Sequence, residues 1–303
     1  MRHRTDAAGR VCVVAGLLMA GCAPLSPRES ARRSPPANPP TELPNTSTLA
    51  IRAPADSGIQ QAAGQSPAPG SPSESDPIRR LHREAVAAYG KVPCYIARLR
   101  RREVVQGRAK PEEVLVFKFR ERPYSVHFKW LGDEGRGREV IYVRGQWDDK
   151  LHIHTAANDI PFTPAGRRLA LAPDSLMVRA ASKYPITEAG IGNMITRFGR
   201  MLDAVQAGNA GVTAKYLGPV QRPEYPTPLE AVETQFPPNR EPEIPGGGRR
   251  LVYFDPQTHF PVLSVTFDQS GHEVDFYCFD RFQLDVKLDD DDFNPDKLWG
   301  PAK

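Results

Sequence analysis

Hydrophobic and polar positions change period several times along this chain, and each change predicts an element. Between residues 76 and 90 the spacing is helical. Ile78, Leu81, Ala85, Ala88 and Tyr89 fall on one face, and Arg79, Arg80 and Arg83 on the other. Asp76 suits the N-cap, Pro77 the first helical position and Gly90 the C-terminal cap. The period then becomes two. Leu115, Phe117 and Phe119 alternate with Val116, Lys118 and Arg120, and Val126, Phe128 and Trp130 alternate with His127 and Lys129. Val140 to Val143 and Leu151 with Ile153 follow, separated by turns such as residues 133–137. Alternation with short turns predicts a meander of antiparallel strands with one wet face.

From Thr187 to Gln206 the helical period returns, as a stripe of Ile191, Met194, Ile195, Phe198, Met201, Leu202 and Val205. Thr187 is the candidate cap at its start and Gly208 at its end. Gly190, Gly192 and Gly199 lie within it, each costing about 1 kcal/mol relative to Ala, which leaves two readings, a helix able to shift like a lid and a fixed core helix. Pro219 to Gly248 reads as a Pro-rich loop, long enough to cover an opening. Strands resume at 250–254, 262–267, 274–279 and 282–288. The sum is an α+β fold: one curved antiparallel sheet packed on two amphipathic helices, spanning residues 76–298, with 299–303 as a tail.

The first 75 residues have a different character. Arg2, His3, Arg4 and Arg10 precede an apolar run from Val11 to Ala20, which is about ten residues long, as in a secretory signal, and too short to span a bilayer. The run ends in Met19-Ala20-Gly21-Cys22, which resembles a bacterial lipobox. Residues 1–21 are then the signal peptide, and Cys22 is the lipidated N-terminus, held to the membrane by its acyl chains. Ala23 after the cysteine favours the outer membrane, with the protein facing the periplasm. Residues 22–75 are rich in Pro, Ser and Ala and read as a disordered tether with an r.m.s. span of roughly 40 Å.

Charge adds little. The formal net charge is +4, and residues 1–21 hold three Arg and one Asp, which leaves about +2 for the remainder and gives no case for nucleic-acid binding. Arg98, Arg100 and Arg102, and likewise Lys118, Arg120 and Arg122, share strand faces. They predict either a basic outer stripe for anionic envelope polymers or an ordinary solvated face. His152 and His154 point the same way, yet no further ligands complete a metal site, and a polar strand face is the simpler reading. Asp289 to Asp292 lacks the spacing of a calcium loop and reads as a solvated strand exit. No motif argues for a catalytic set or a cofactor. Beyond Cys12 and Cys22, Cys94 and Cys278 are either a disulfide or two separate buried thiols.

Four stretches resemble the bacterial domain-of-unknown-function family 1571: residues 94–103, residues 138–151, Tyr184 to Gly190, and Phe282 to Pro295. The closing segment, with its Asp292-Phe293-Asn294-Pro295 tail, is also similar to carriers and receptors of the Lol lipoprotein pathway. That likeness implies a half-barrel whose apolar cavity holds acyl chains. On this basis the expected function is a non-enzymatic lipoprotein that binds a lipid or other apolar ligand. Phe117, Phe119, Phe128, Trp130, Met194, Phe198 and Met201 are the candidate cavity lining, and the helix from 187 should lie across the open side of the sheet. The rivals are a structural or interaction lipoprotein with a filled core and an envelope hydrolase. No residue identifies a protein partner.

Overall fold

The computed structural model describes residues 76–160, 164–208 and 211–301; Cys22, the signal peptide and the tether lie outside them. The chain opens with α1 (Pro77–Tyr89), whose N-cap Asp76 accepts from the Ile78 amide at 2.9 Å. Six strands follow as a meander: β1 (Cys94–Val105), the short β2 (Arg108–Ala109) that folds back on β1, β3 (Glu113–Arg120), β4 (Ser125–Trp130), β5 (Glu139–Val143) and β6 (Leu151–His154). β7 (Arg168–Leu171), α2 (Leu176–Ala181) and α3 (Ile191–Gln206) complete the first part. The second part is another meander: β8 (Thr213–Val220), β9 (Leu229–Phe236), β10 (Gly248–Phe254), β11 (Pro261–Asp268) and β12 (Glu273–Gln283). A final turn, α4 (Pro295–Trp299), follows.

Among the described residues all strands belong to one open antiparallel sheet in the order β7-β6-β5-β4-β3-β1-β12-β11-β10-β9-β8, with β2 attached to β1. β1 is therefore central, and the joint between the two meanders is the β1–β12 pair. One face of the sheet is apolar over most of its width; α1 and α3 lie on this inner face and pack on each other, on β8 and on β11.

The strands predicted for 115–130, 140–153 and 250–279 are present, and three readings need correction. Within the supposed loop 219–248 lie β9 and the end of β8. As an edge strand, β8 shows only partial burial at alternate positions, so its hydrophobic signal is weak. The strand predicted for 282–288 stops at Gln283. Alternate residues beyond it still turn inward, but the segment lies against the sheet without pairing in it: Leu284 joins the main core and Leu288 a second, smaller core. Finally, Thr187 does not cap α3. Residues 186–188 form a separate 3-10 turn, Gly190 takes φ +97°, and the Ile191 amide that opens α3 donates to the buried Tyr95 hydroxyl at 2.9 Å.

The C-terminal segment crosses to the outer face. There Phe293 is fully buried with Ile141 and Val143, and Trp299 stacks on His154 at 5.4 Å. Asp292 pairs with Lys118 and Asp290 with Arg120, each at 2.8 Å, so the aspartate run fastens this segment to β3.

Candidate functional site

The helices do not cover the inner face evenly. α1 and α3 come close together because α3 has no side chain where α1 approaches. A Cβ at Gly192 would sit 2.7 Å from the Tyr89 ring, and one at Gly199 would sit 2.8 Å from His82 Nε2. The glycines that suggested a movable lid thus seat α3 against α1. Behind the helix pair, Phe198 meets Phe254 edge-on at 5.0 Å and Tyr89 meets Phe260 at 6.1 Å, which fills the space over β8–β11.

Over the other half of the sheet a cleft of about 680 Å³ remains, within the usual range for small-molecule sites. Its floor is Leu99, Phe117, Phe128, Val140, Leu151 and Ile153. Met194, Phe198 and Met201 of α3 form one wall, and residues from 155–160 and 169–190 form another. Of the residues expected to line a cavity, Phe117, Phe128, Trp130, Met194, Phe198 and Met201 border this cleft. Phe119 does not; it is stacked on Tyr95 at 5.2 Å and crossed by Tyr124 at 5.4 Å, beneath Gly190. At the rim, α2 leaves Leu176 and Met177 exposed, at 89% and 58% of their surfaces.

One end of the cleft is polar, for a reason visible strand by strand. Glu113, Arg101, Tyr277 and Ser264 lie side by side across β3, β1, β12 and β11. In the next inward-facing row, Glu103, Asp275, Thr266, Arg250 and Thr234 cross β1, β12, β11, β10 and β9. The charges in these rows are matched at close range. Arg101 pairs with Glu113 and faces Glu103. Arg138 bonds Asp159 through Nε at 2.9 Å and reaches Glu113 at 3.4 Å. Glu113 also accepts from the Trp130 indole at 2.8 Å. Asp275 accepts from Lys183 Nζ at 3.0 Å and from the Tyr184 hydroxyl at 2.9 Å. Arg250 and Arg197 share Glu241 at 2.8 and 2.6 Å, and Arg197 adds Glu243 at 3.1 Å.

Burial would ordinarily lower the affinity of an arginine for its proton, yet the surrounding carboxylates leave Arg101 and Arg250 above the ordinary guanidinium range. Desolvation and neighbouring carboxylates hold the Tyr184 and Tyr277 phenols protonated. Despite its own burial, Glu241 is pulled down to about 2, chiefly by Arg250.

The remaining candidates lie elsewhere. Arg98, Arg100 and Arg102 do form an outer row, but it is not a free basic stripe. Arg98 pairs with Asp280, Arg100 with Glu112 at 2.9 Å, and Arg102 with Glu112 and Glu273 at 2.8 and 2.7 Å. His152 packs edge-on against Trp147 and His154 stacks on Trp299; among the described residues no group of acidic, His or Cys side chains forms a metal site. Cys94 and Cys278 are free, buried thiols, the second of the two readings rather than the disulfide. Cys278 sits opposite Arg100, six residues from Cys94 along β1. At about 3.3 Å per residue the gap far exceeds disulfide reach. The Cys94 thiol donates instead to the Val286 carbonyl at 3.1 Å, and burial pushes the Cys278 thiol up to about 12.

An open antiparallel sheet with helices seated on one half and a cleft over the other defines a fold of the half-barrel class. The chain belongs to the family of proteins of unknown function DUF1571, whose model matches residues 92–298. Among curated proteins none matches it. Solved structures of similar outline include the Mycobacterium tuberculosis lipoprotein LppX, at 12% identity and TM-score 0.41, covering 71% of this chain and 100% of that one. An uncharacterized conserved protein from Thermus thermophilus matches at 8% identity and TM-score 0.40, over 71% of this chain and 91% of that one. A LolA superfamily protein from Nitrosomonas europaea matches at 10% identity and TM-score 0.30, over 72% of this chain and 98% of that one.

Proposed function

We propose that this protein is a non-enzymatic lipoprotein of the cell envelope that holds a lipid or other apolar ligand in the cleft between α3 and the β3–β7 side of the sheet. The observation that carries this reading is the cleft itself. A single layer of Phe, Leu, Ile and Met side chains faces about 680 Å³ of space, and α3 is seated too firmly against α1 to collapse into it. Water gains little against such a wall, whereas an acyl chain of comparable size removes apolar surface at about 25 cal/mol per Å². The lipobox at Cys22 supplies the anchor, the segment to residue 75 the reach, and the outer membrane, facing the periplasm, the location. A structural protein with a filled core fits the β8–β11 side but gives no use for the cleft.

The test is direct. Organic extraction of the purified protein followed by mass spectrometry should recover an apolar compound at near-stoichiometric yield. A Met201→Trp variant, which fills the cleft, should lose it. Recovery of nothing from the parent, together with no uptake of added lipid, rejects the reading. Separately, Cys22→Ser should move the protein from the membrane fraction to the soluble one.

A further inference from the structure

The polar end of the cleft indicates which class of amphiphile it accepts. Five cations stand there or directly behind it: Arg101, Arg138, Lys183, Arg197 and Arg250. Six carboxylates face them: Glu103, Glu113, Asp159, Glu241, Glu243 and Asp275. Every one of the five cations already meets a carboxylate within ion-pair distance, and carboxylates outnumber them by one. An anionic head group entering here would have to displace a carboxylate from a guanidinium and leave that carboxylate buried without its partner, the costly half of breaking a buried pair. The rim carries one more cation, the exposed Lys110, and three more carboxylates, Asp133, Glu134 and Glu188, so negative charge still prevails there. The uncharged polar groups bordering the cleft among the matched charges are hydroxyls: Ser264 and Thr234, and Tyr184 and Ser182, which already bond Asp275 and Glu103.

Resting on the lipid-binding reading, we propose that the cleft selects uncharged amphiphiles, with a hydroxyl or ester head against the Glu103–Thr234 and Glu113–Ser264 rows, over fatty-acid anions and anionic phospholipids. Glu113 is the determinant. It alone touches both Arg101 and Arg138 and fixes Trp130, so it withholds two guanidinium groups from an incoming anion at once.

The experiment incubates the purified protein with equal amounts of dioleoylglycerol, oleate and dioleoylphosphatidylglycerol and measures retained lipid by mass spectrometry. Dioleoylglycerol should be retained about ten-fold over either anion, the equivalent of one charge-assisted hydrogen bond. Equal or greater retention of oleate or dioleoylphosphatidylglycerol overturns the selection and leaves lipid binding standing; retention of none of the three overturns both. In Glu113→Gln, oleate retention should rise about ten-fold as Arg101 and Arg138 each lose one of their two carboxylate partners. Should that variant fail to fold, Asp159→Asn takes a carboxylate from Arg138 alone and should raise oleate retention by a smaller factor. No rise in a folded variant overturns the proposal.

Discussion

Strands on the β12 side of the central joint press most of their apolar residues against two helices, with Phe236, Val252 and Phe279 reaching the cleft, while on the β3 side Phe117, Phe128, Val140, Leu151 and Ile153 face it. Both sides are meanders of similar alternation, so the strands themselves do not make the difference. It comes from α1 and α3. Bound to each other through the bare positions Gly192 and Gly199, they act as one thick block over β8 to β11. A block of that width covers half of an eleven-strand path and leaves the other half open. A helix pair held further apart would spread over more of the sheet and close the cleft.

The sharpest way to break this contrast is to truncate one aromatic on each side. Phe254→Ala, in the filled half, should cost about 3–5 kcal/mol in urea unfolding. Phe128→Ala, which has the cleft on one side, should cost about 2 kcal/mol, because part of its contact shell is already missing. Equal losses would mean that the cleft is as tightly packed as the core. Next in size is Gly192→Ala. The new methyl gains about 1 kcal/mol of helix propensity. It also meets the Tyr89 ring at 2.7 Å, so the net change should be a loss of about 1–3 kcal/mol. A stabilised variant would show that α3 is free of α1.

Acid should act on the hollow side through its outer face. Glu139 accepts from His127 at 2.8 Å, from Lys129 and from the Trp299 indole at 3.0 Å, and these partners outweigh its burial and bring it from 4.5 down to about 2. Its contribution is complete above about pH 4.5 and is lost as pH falls towards 2. Stability measured over that window should therefore fall less steeply in Glu139→Gln; an unchanged slope would remove Glu139 as a determinant. The smallest effect belongs to the joint itself. Arg98→Ala, which removes the partly exposed pair with Asp280, should cost about 0.5–1 kcal/mol in the same unfolding assay.

Much of this was legible in the chain. Apolar alternation located most strands, and the two long helical stripes gave α1 and α3. The polar end of the cleft was legible too, and was missed. Arg101 and Glu103 are in phase with the buried Tyr95, Ala97 and Leu99, Glu113 with Leu115 and Phe117, and Asp275 with Phe279. Charges on the apolar phase of a strand are the signal for a buried polar site. β9 was hidden by the prolines that flank it, Pro226, Pro228, Pro237 and Pro238. The position of α3 was not legible at all. It depends on Gly192 and Gly199 meeting Tyr89 and His82, contacts between segments about 100 residues apart that no local pattern encodes.

The central place of β1 has a consequence for how the molecule assembles. Within each meander, neighbours in the sheet follow one another closely in the chain, so each can pair early and cheaply. The joint is different: Arg98 must find Asp280 across 182 residues, and loop closure on that scale delays it. Folding therefore should run as two local sheets that wait for one late zipper. Until β12 arrives, β1 and β11 are both bare edges in the middle of the molecule, open templates for pairing with another chain. A truncation before residue 273 would not remove one peripheral strand. It would cut the sheet in two and leave each half with an edge suited to aggregation.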